Sequence, residues 1–297
     1  MDGDVQRIPI RERGLVASLF LPSMETPLPA VVVLGGSGGG LPEGRAQLLA
    51  AHGFAVLSLA YFGTEDLPRK LESIPLEYCE TAIDWLKGHS STDSKRIGLW
   101  GISRGAELAL LLGTVFPDAV QAIAAHAPSS AVYSSFDPSD TPAWTYRGVP
   151  VAPHAPFPAI VFEPGEGKTP DQAIPLTPLF LQGMKNEQAF QAARIPVEKI
   201  ECPVLLVSGQ NDRMWPSDLY ARQMAERIKA PCLHLSYPGA GHHISTPYLP
   251  ATGNADLHPV AQLWFDFGGN PKDNAFARAD AWQKTLEFFS STLVTTS

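Results

Sequence analysis

Apolar positions along the chain switch between strand-like runs and helical spacing, and that alternation predicts the architecture. Two β-like runs at 6–10 and 15–21 flank Arg11-Glu12-Arg13 and Gly14, which predicts an antiparallel hairpin. Pro22, Pro27 and Pro29 punctuate a loop, and Ala30-Val31-Val32-Val33-Leu34 then reads as a strand buried on both faces. A helix over 45–52, closed by Gly53 and with Pro42 near its start, precedes a strand over 54–59. Leu76, Cys79, Ala82, Ile83 and Leu86 recur at helical spacing, and Gly88 ends that helix. A strand at 96–100, a helix at 107–113 and a strand at 120–125 follow. Alternation resumes after residue 200 with a strand at 204–208, a helix at 217–228 and a strand at 232–237. A last helix carries Trp282, Leu286, Phe289 and Leu293 on one face. The expected fold is α/β: a mostly parallel sheet with helices on both faces and an antiparallel hairpin in front.

Between 129 and 200 the pattern breaks. Pro138, Pro142, Trp144, Tyr146, Pro150, Pro153, Pro156 and Pro158 crowd this stretch, and only 187–194 looks helical. Segments of this kind are usually lids or binding insertions. The chain is therefore expected to be one domain, 1–297, with an insertion at about 129–200. Trp144 and Phe157 are the expected apolar cover over a substrate pocket.

Gly101-Ile102-Ser103-Arg104-Gly105 fits G-x-S-x-G, a pattern too common to mean much alone. Here it starts one residue after a predicted strand and runs directly into a helix, the context of a nucleophile elbow. An elbow serine needs a histidine to take its proton and a carboxylate to orient that histidine, in the chain order serine, acid, histidine. Asp212 follows the 204–208 strand in Gly209-Gln210-Asn211-Asp212, at the sheet edge where such sites form. Its rival, Asp218, suits the first turn of the next helix. His242 follows the next strand in Pro238-Gly239-Ala240-Gly241-His242-His243, with His243 as the adjacent alternative.

An oxyanion hole should combine the backbone N–H of Arg104 with one from Gly35-Gly36-Ser37-Gly38-Gly39-Gly40. Ser37 is the best-placed donor there and Gly36 the second, in contact with substrate. The same loop lacks the Gly-Lys-Ser/Thr ending of a phosphate loop, and no acidic residue ends the following strand as dinucleotide binding would require. His126, ending a strand near the site edge, is a candidate lining residue. No cofactor is expected, and the histidines form no metal-ligand pattern.

Composition narrows the class. A hydrophobic fraction of 44% and a charged fraction of 18% are those of a folded globule. With 22 Lys and Arg against 30 Asp and Glu, the net charge of −8 argues against a nucleic-acid binder. No apolar stretch is long enough to span a bilayer, and the start lacks a signal-peptide pattern. Cys79, Cys202 and Cys232 are odd in number and widely spaced, so free and mostly buried thiols are expected. A reducing cytoplasm fits these features best.

With these motifs in place, the chain resembles the C-terminal catalytic domain of the acyl-CoA thioesterase and bile acid-CoA:amino acid N-acyltransferase family. The resemblance lies in Gly38-Gly39-Gly40-Leu41-Pro42-Glu43-Gly44-Arg45, in 54–61 with Glu65-Asp66-Leu67-Pro68, and in 101–107. It continues in Gly209-Gln210-Asn211-Asp212 with Trp215, in Tyr237-Pro238-Gly239-Ala240-Gly241-His242, and in Asp280-Ala281-Trp282. It implies an α/β-hydrolase fold, thioester chemistry, and Ser103, Asp212 and His242 as nucleophile, acid and base. The family holds hydrolases and amide-forming transferases, and the transferase branch resembles this chain with cysteine in place of Ser103.

The expected function is hydrolysis of acyl thioesters of the acyl-CoA type through an acyl-enzyme. The alternatives are a carboxylesterase or dienelactone-hydrolase-like enzyme on small oxygen esters, an acyl-CoA-dependent acyltransferase, and a non-catalytic binding module. Arg45, Arg69, Lys70 and Arg104 are candidate partners for carrier phosphates.

Overall fold

The computed structural model describes residues 4–25, 27–135, 140–151, 155, 163, 165–248 and 253–294. The chain opens with β1 (Val5–Ile10), β2 (Val16–Pro22), β3 (Leu28–Leu34), α1 (Glu43–Ala50), β4 (Ala55–Ala60) and the short β5 (Ile74–Pro75). Next come α2 (Leu76–Gly88), β6 (Thr92–Ile102), α3 (Arg104–Val115), β7 (Ala122–His126), β8 (Trp144–Tyr146) and β9 (Val149–Pro150). The remainder is α4 (Thr177–Gly183), α5 (Glu187–Ala192), β10 (Val204–Gly209), α6 (Ser217–Ala225), β11 (Cys232–Tyr237), β12 (Ala255–Leu257), β13 (Trp264–Asp266) and α7 (Pro271–Leu293).

Eight strands form the main sheet in the order β1-β2-β4-β3-β6-β7-β10-β11. The predicted hairpin is present, with Ile10 opposite Ala17, and β2 pairs antiparallel with β4. From β4 onward every neighbouring pair is parallel. The period of two along β3 sorts its side chains between the two faces. Ala30, Val32 and Leu34 join α2, α3 and α6 in one core cluster, whereas Val31 and Val33 join α1 and α7 in another. That is why 30–34 reads as unbroken apolar sequence: both faces of the strand are covered.

The described part of the 129–200 segment holds more structure than its sequence suggests. β8 pairs with β5 on one side and β9 on the other. α4 escapes periodicity because it is only seven residues long, with a proline in its first turn. Ala131, Tyr133, Phe180 and Phe190 pack against Met214, Trp215 and Tyr220 in a third cluster, fastening this segment to the loop after β10. The hairpin β12–β13 also escapes sequence reading, since three-residue strands carry no periodic signal. Among the described residues, no helix is long and apolar enough to cross a membrane. Cys79 and Cys202 are buried and Cys232 is half-buried, all three as free thiols.

Candidate active site

Ser103 sits between β6 and α3 with φ 57° and ψ −121°, a strained conformation for a residue bearing a side chain. Glycine on either side permits the turn. A Cβ on Gly101 would lie 2.1 Å from the Gly105 carbonyl oxygen, and one on Gly105 would lie 2.3 Å from those of Leu34 and Gly35. The Ser103 N–H donates to the His126 carbonyl at 2.9 Å, fixing the elbow to the neighbouring strand.

The loops after β10 and β11 bring two further groups to the same sheet edge. His242 Nε2 lies 2.9 Å from Ser103 Oγ, and His242 Nδ1 lies 2.8 Å from Asp212 Oδ2. The Asp212 carboxylate is held by three more donors. Its Oδ1 accepts from the N–H groups of Met214 (2.9 Å) and Trp215 (3.2 Å), and its Oδ2 accepts from Ser217 Oγ at 2.6 Å. The backbone N–H of His242 donates to Phe267 at 2.7 Å, and the Trp215 ring packs edge-on against the imidazole. Both Asp212 and His242 are buried.

The alternatives named from sequence lie elsewhere. Asp218 accepts from Ser208 Oγ (3.0 Å) and Ser236 Oγ (2.5 Å) and pairs with Arg222 on α6. His243 faces Asp256, with Nδ1 3.1 Å from Oδ2, and packs on the Phe267 ring. Burial also holds its pKa below the usual histidine value. His126 does not line the site: it is fully buried, bonds Thr285 Oγ1 at 3.0 Å and packs edge-on against Trp100.

A cavity of about 430 Å³ opens at Ser103, with Gly36, Ser37, Ile102, Met214, His242 and Phe267 in its wall. Gly36 approaches the nucleophile closely: a Cβ there would lie 3.2 Å from Ser103 Cβ. Arg104 begins α3, so its N–H belongs to the first turn, where no intrahelical acceptor exists, at the positive end of the helix dipole.

His258 is a wall residue that no motif in the sequence singles out. Its Nε2 lies 2.9 Å from Ser37 Oγ, while its Nδ1 accepts from the N–H groups of Val260 (3.3 Å) and Ala261 (3.1 Å). With Nδ1 accepting, the proton resides on Nε2, and the ring donates to the Ser37 hydroxyl oxygen. Burial pushes the His258 pKa down to about 4, consistent with a neutral ring.

Two expectations about the 129–200 segment are corrected. Trp144 is not a substrate contact: it is 1% exposed, packs against Tyr61, and donates from Nε1 to Glu107 Oε1 at 2.6 Å. The described lining of the cavity includes no residue of 129–200; Ser245, Thr246, Leu257, His258, Pro259 and Phe267 close it instead. Phe157 lies outside the described residues. The Arg104 side chain is likewise unable to meet a carrier phosphate. It is 1% exposed, pairing with Glu107 at 3.0 Å and donating to the carbonyls of Tyr133 and Ser134. Desolvation raises Glu107 to about 7 against the opposing pull of Arg104. Arg69 is exposed, and Lys70 pairs with Glu72 at 3.4 Å. Of the four cations, only Arg45 lines the cavity. Among the described residues, no cluster of His, Cys, Asp and Glu could hold a metal ion.

A mostly parallel sheet with a serine elbow and its partners on successive strand-end loops defines an α/β hydrolase. More narrowly, the chain belongs to the family described as BAAT / Acyl-CoA thioester hydrolase C terminal, whose model matches residues 74–295. It is 34% identical over 294 residues to "Acyl-coenzyme A thioesterase 2, mitochondrial" of Rattus norvegicus, covering 97% of this chain and 61% of that protein. The chain thus spans about three fifths of the length of that relative. An esterase from Pyrobaculum calidifontis superposes with a TM-score of 0.59 at 17% identity, covering 98% of this chain and 87% of that one. A dienelactone hydrolase from Anabaena variabilis ATCC 29413 gives 0.53 at 16% identity, with 97% and 99% covered. At these identities the structural likeness is one of fold.

Proposed function

We propose that this chain hydrolyses acyl thioesters of the acyl-CoA type, with Ser103 as nucleophile, His242 as general base and Asp212 as its orienting carboxylate. The observation that carries this reading is the continuous bond chain from Ser103 Oγ through His242 to Asp212, at 2.9 and 2.8 Å, opening on a cavity. His242 Nε2 takes the serine proton as Ser103 Oγ attacks the thioester carbonyl. The tetrahedral oxyanion is received by the N–H of Arg104 and one from the Gly36–Ser37 turn. Collapse breaks the C–S bond and His242 returns the proton to the departing sulfur, leaving an acyl group on Ser103. His242 then activates water, and the acyl group leaves as a carboxylic acid.

Kinship with proteins named for acyl-CoA thioester hydrolysis favours thioesters over oxygen esters. A thiol with a pKa near 8.5 also leaves with little help, whereas an alkoxide depends on His242 as acid. The test compares release of free thiol from an acyl-CoA panel with hydrolysis of ethyl esters of the same acids. Higher kcat/KM for the thioesters supports the reading, and faster turnover of the oxygen esters moves the chain to the carboxylesterase class.

A further inference from the structure

We propose that Tyr61 is a positioning residue for the oxyanion hole. Its hydroxyl holds the Gly35–Gly36 peptide in the orientation that turns the Gly36 N–H toward the carbonyl attacked by Ser103. The inference rests on the reading of Ser103 as nucleophile and specifies how its oxyanion site is assembled.

Tyr61 directly follows β4 and Gly35 directly follows β3, and the parallel pairing of these strands brings the two residues together. The Tyr61 hydroxyl donates to the Gly35 carbonyl at 2.5 Å. The same oxygen presses on α3, where a Cβ on Gly105 would lie 2.3 Å from it. The carbonyl is thus held between a hydrogen-bond donor and a helix backbone. Tyr61 is 3% exposed and does not line the cavity, and the rings of Phe62 and Trp144 pack on it with centroids at 5.2 and 5.6 Å. Burial pushes its pKa well above the ordinary tyrosine value, so the hydroxyl remains a donor.

A peptide bond is planar and, before any residue but proline, almost always trans, so its C=O and N–H point in opposite directions. Fixing the Gly35 carbonyl on Tyr61, away from the cavity, therefore turns the Gly36 N–H toward it. That is the side of the nucleophile, since a Cβ on Gly36 would lie 3.2 Å from Ser103 Cβ and 3.7 Å from Ser103 Oγ. Among the described residues, no hydrogen bond from the Gly36 N–H is made within the protein, which leaves this donor for a substrate oxygen. Two successive glycines rotate with little resistance, and neither carries a side chain to hold the peptide plane. The Tyr61 bond supplies that restraint before substrate arrives. A donor oriented in advance costs no reorganisation when charge develops on the carbonyl oxygen.

The test pairs Tyr61→Phe with Tyr237→Phe. Tyr237 is also buried, and its hydroxyl donates to Asp280 Oδ2 at 2.7 Å; neither residue lines the cavity. The second variant reports what loss of a buried tyrosine hydroxyl does to folding alone. Tyr61→Phe is expected to lower kcat by about 10- to 100-fold with KM within about threefold, on thioesters and activated oxygen esters alike. Tyr237→Phe keeps kcat near wild type whatever its melting temperature. A trifluoromethyl alkyl ketone reads the oxyanion itself. Ser103 Oγ bonds to the ketone carbon, the serine proton passes to His242 Nε2, and the carbonyl oxygen takes the negative charge. Carbon NMR of the adduct, labelled at that carbon, should show the oxygen ionising about one pH unit higher in Tyr61→Phe than in wild type, and unshifted in Tyr237→Phe. The amide proton of Gly36 gives a readout without any variant: it should move downfield when the adduct forms on the wild-type chain. Movement at Ser37 with Gly36 unchanged, equal kcat losses in both variants, or an unshifted titration in Tyr61→Phe would each overturn the proposal while leaving Ser103 as nucleophile. Absence of an adduct on wild-type Ser103 would overturn the nucleophile, and the proposal with it.

Discussion

His258 Nε2 stands 2.9 Å from Ser37 Oγ, joining the loop after β12 to the glycine-rich turn after β3 across the cavity mouth. Two backbone N–H groups on Nδ1 force the Nε2–H tautomer, so the bond has a fixed direction. It restrains the turn that is proposed to supply an oxyanion donor. His258→Phe and Ser37→Ala are each expected to lower kcat about tenfold with little change in KM. The double variant should lose no more than either alone, because both remove one interaction. Additive losses in steady-state kinetics would show that the two side chains act separately.

The adjacent histidines should separate sharply. His242 touches Ser103 and Asp212, whereas His243 pairs with Asp256. His242→Ala is expected to reduce kcat by roughly 10⁴-fold or more and His243→Ala by less than tenfold. The reverse order in a matched rate comparison would reassign the base.

Trp144 should matter for stability, not selectivity. Its indole N–H makes the shorter of the two neutral bonds to Glu107, 2.6 Å against 3.4 Å from the Tyr133 N–H, and the buried carboxylate is shared with Arg104. Trp144→Phe is expected to cost about 1–3 kcal/mol in denaturant unfolding through the unmet acceptor. The acyl-chain profile should stay as in wild type, while Met214→Ala, in the cavity wall, should shift it. An altered chain-length profile in Trp144→Phe with unchanged stability would contradict this division of roles.

These outcomes mark where sequence pattern carries structural information. Strands and helices with apolar runs of five residues or more appear at or near their expected places, because burial on both sheet faces imposes those runs. Ser103, Asp212 and His242 were legible together because each follows a strand closely, so chain order specifies their place at one sheet edge. The direction in which a lone aromatic points was not legible: Trp144 turns inward to Glu107, a partner 37 positions away. Neither was the part of the cavity wall around His258, which is placed by short strands and turns without periodicity.

Buried neutral histidines should set the acid limit of stability. Burial depresses His126 to about 3 and His258 to about 4, below the ordinary value of 6.5. The unfolded chain therefore binds protons that the folded chain refuses, and stability falls as pH drops below 6.5. The His126 contribution alone is about 2 kcal/mol at pH 5. Thermal unfolding between pH 7 and pH 4.5 should show this decline, with a shallower slope in His126→Phe. A melting temperature that holds constant to pH 4.5 would contradict the neutral assignment.

The most direct test of the proposed chemistry is the mass of the intact protein after exposure to a fluorophosphonate, which phosphonylates an activated serine. The wild-type chain is expected to gain one phosphonyl group, located on the peptide containing Ser103, and Ser103→Ala should gain none. A label that persists in Ser103→Ala, or that maps to a different residue in the wild type, would contradict Ser103 as the nucleophile.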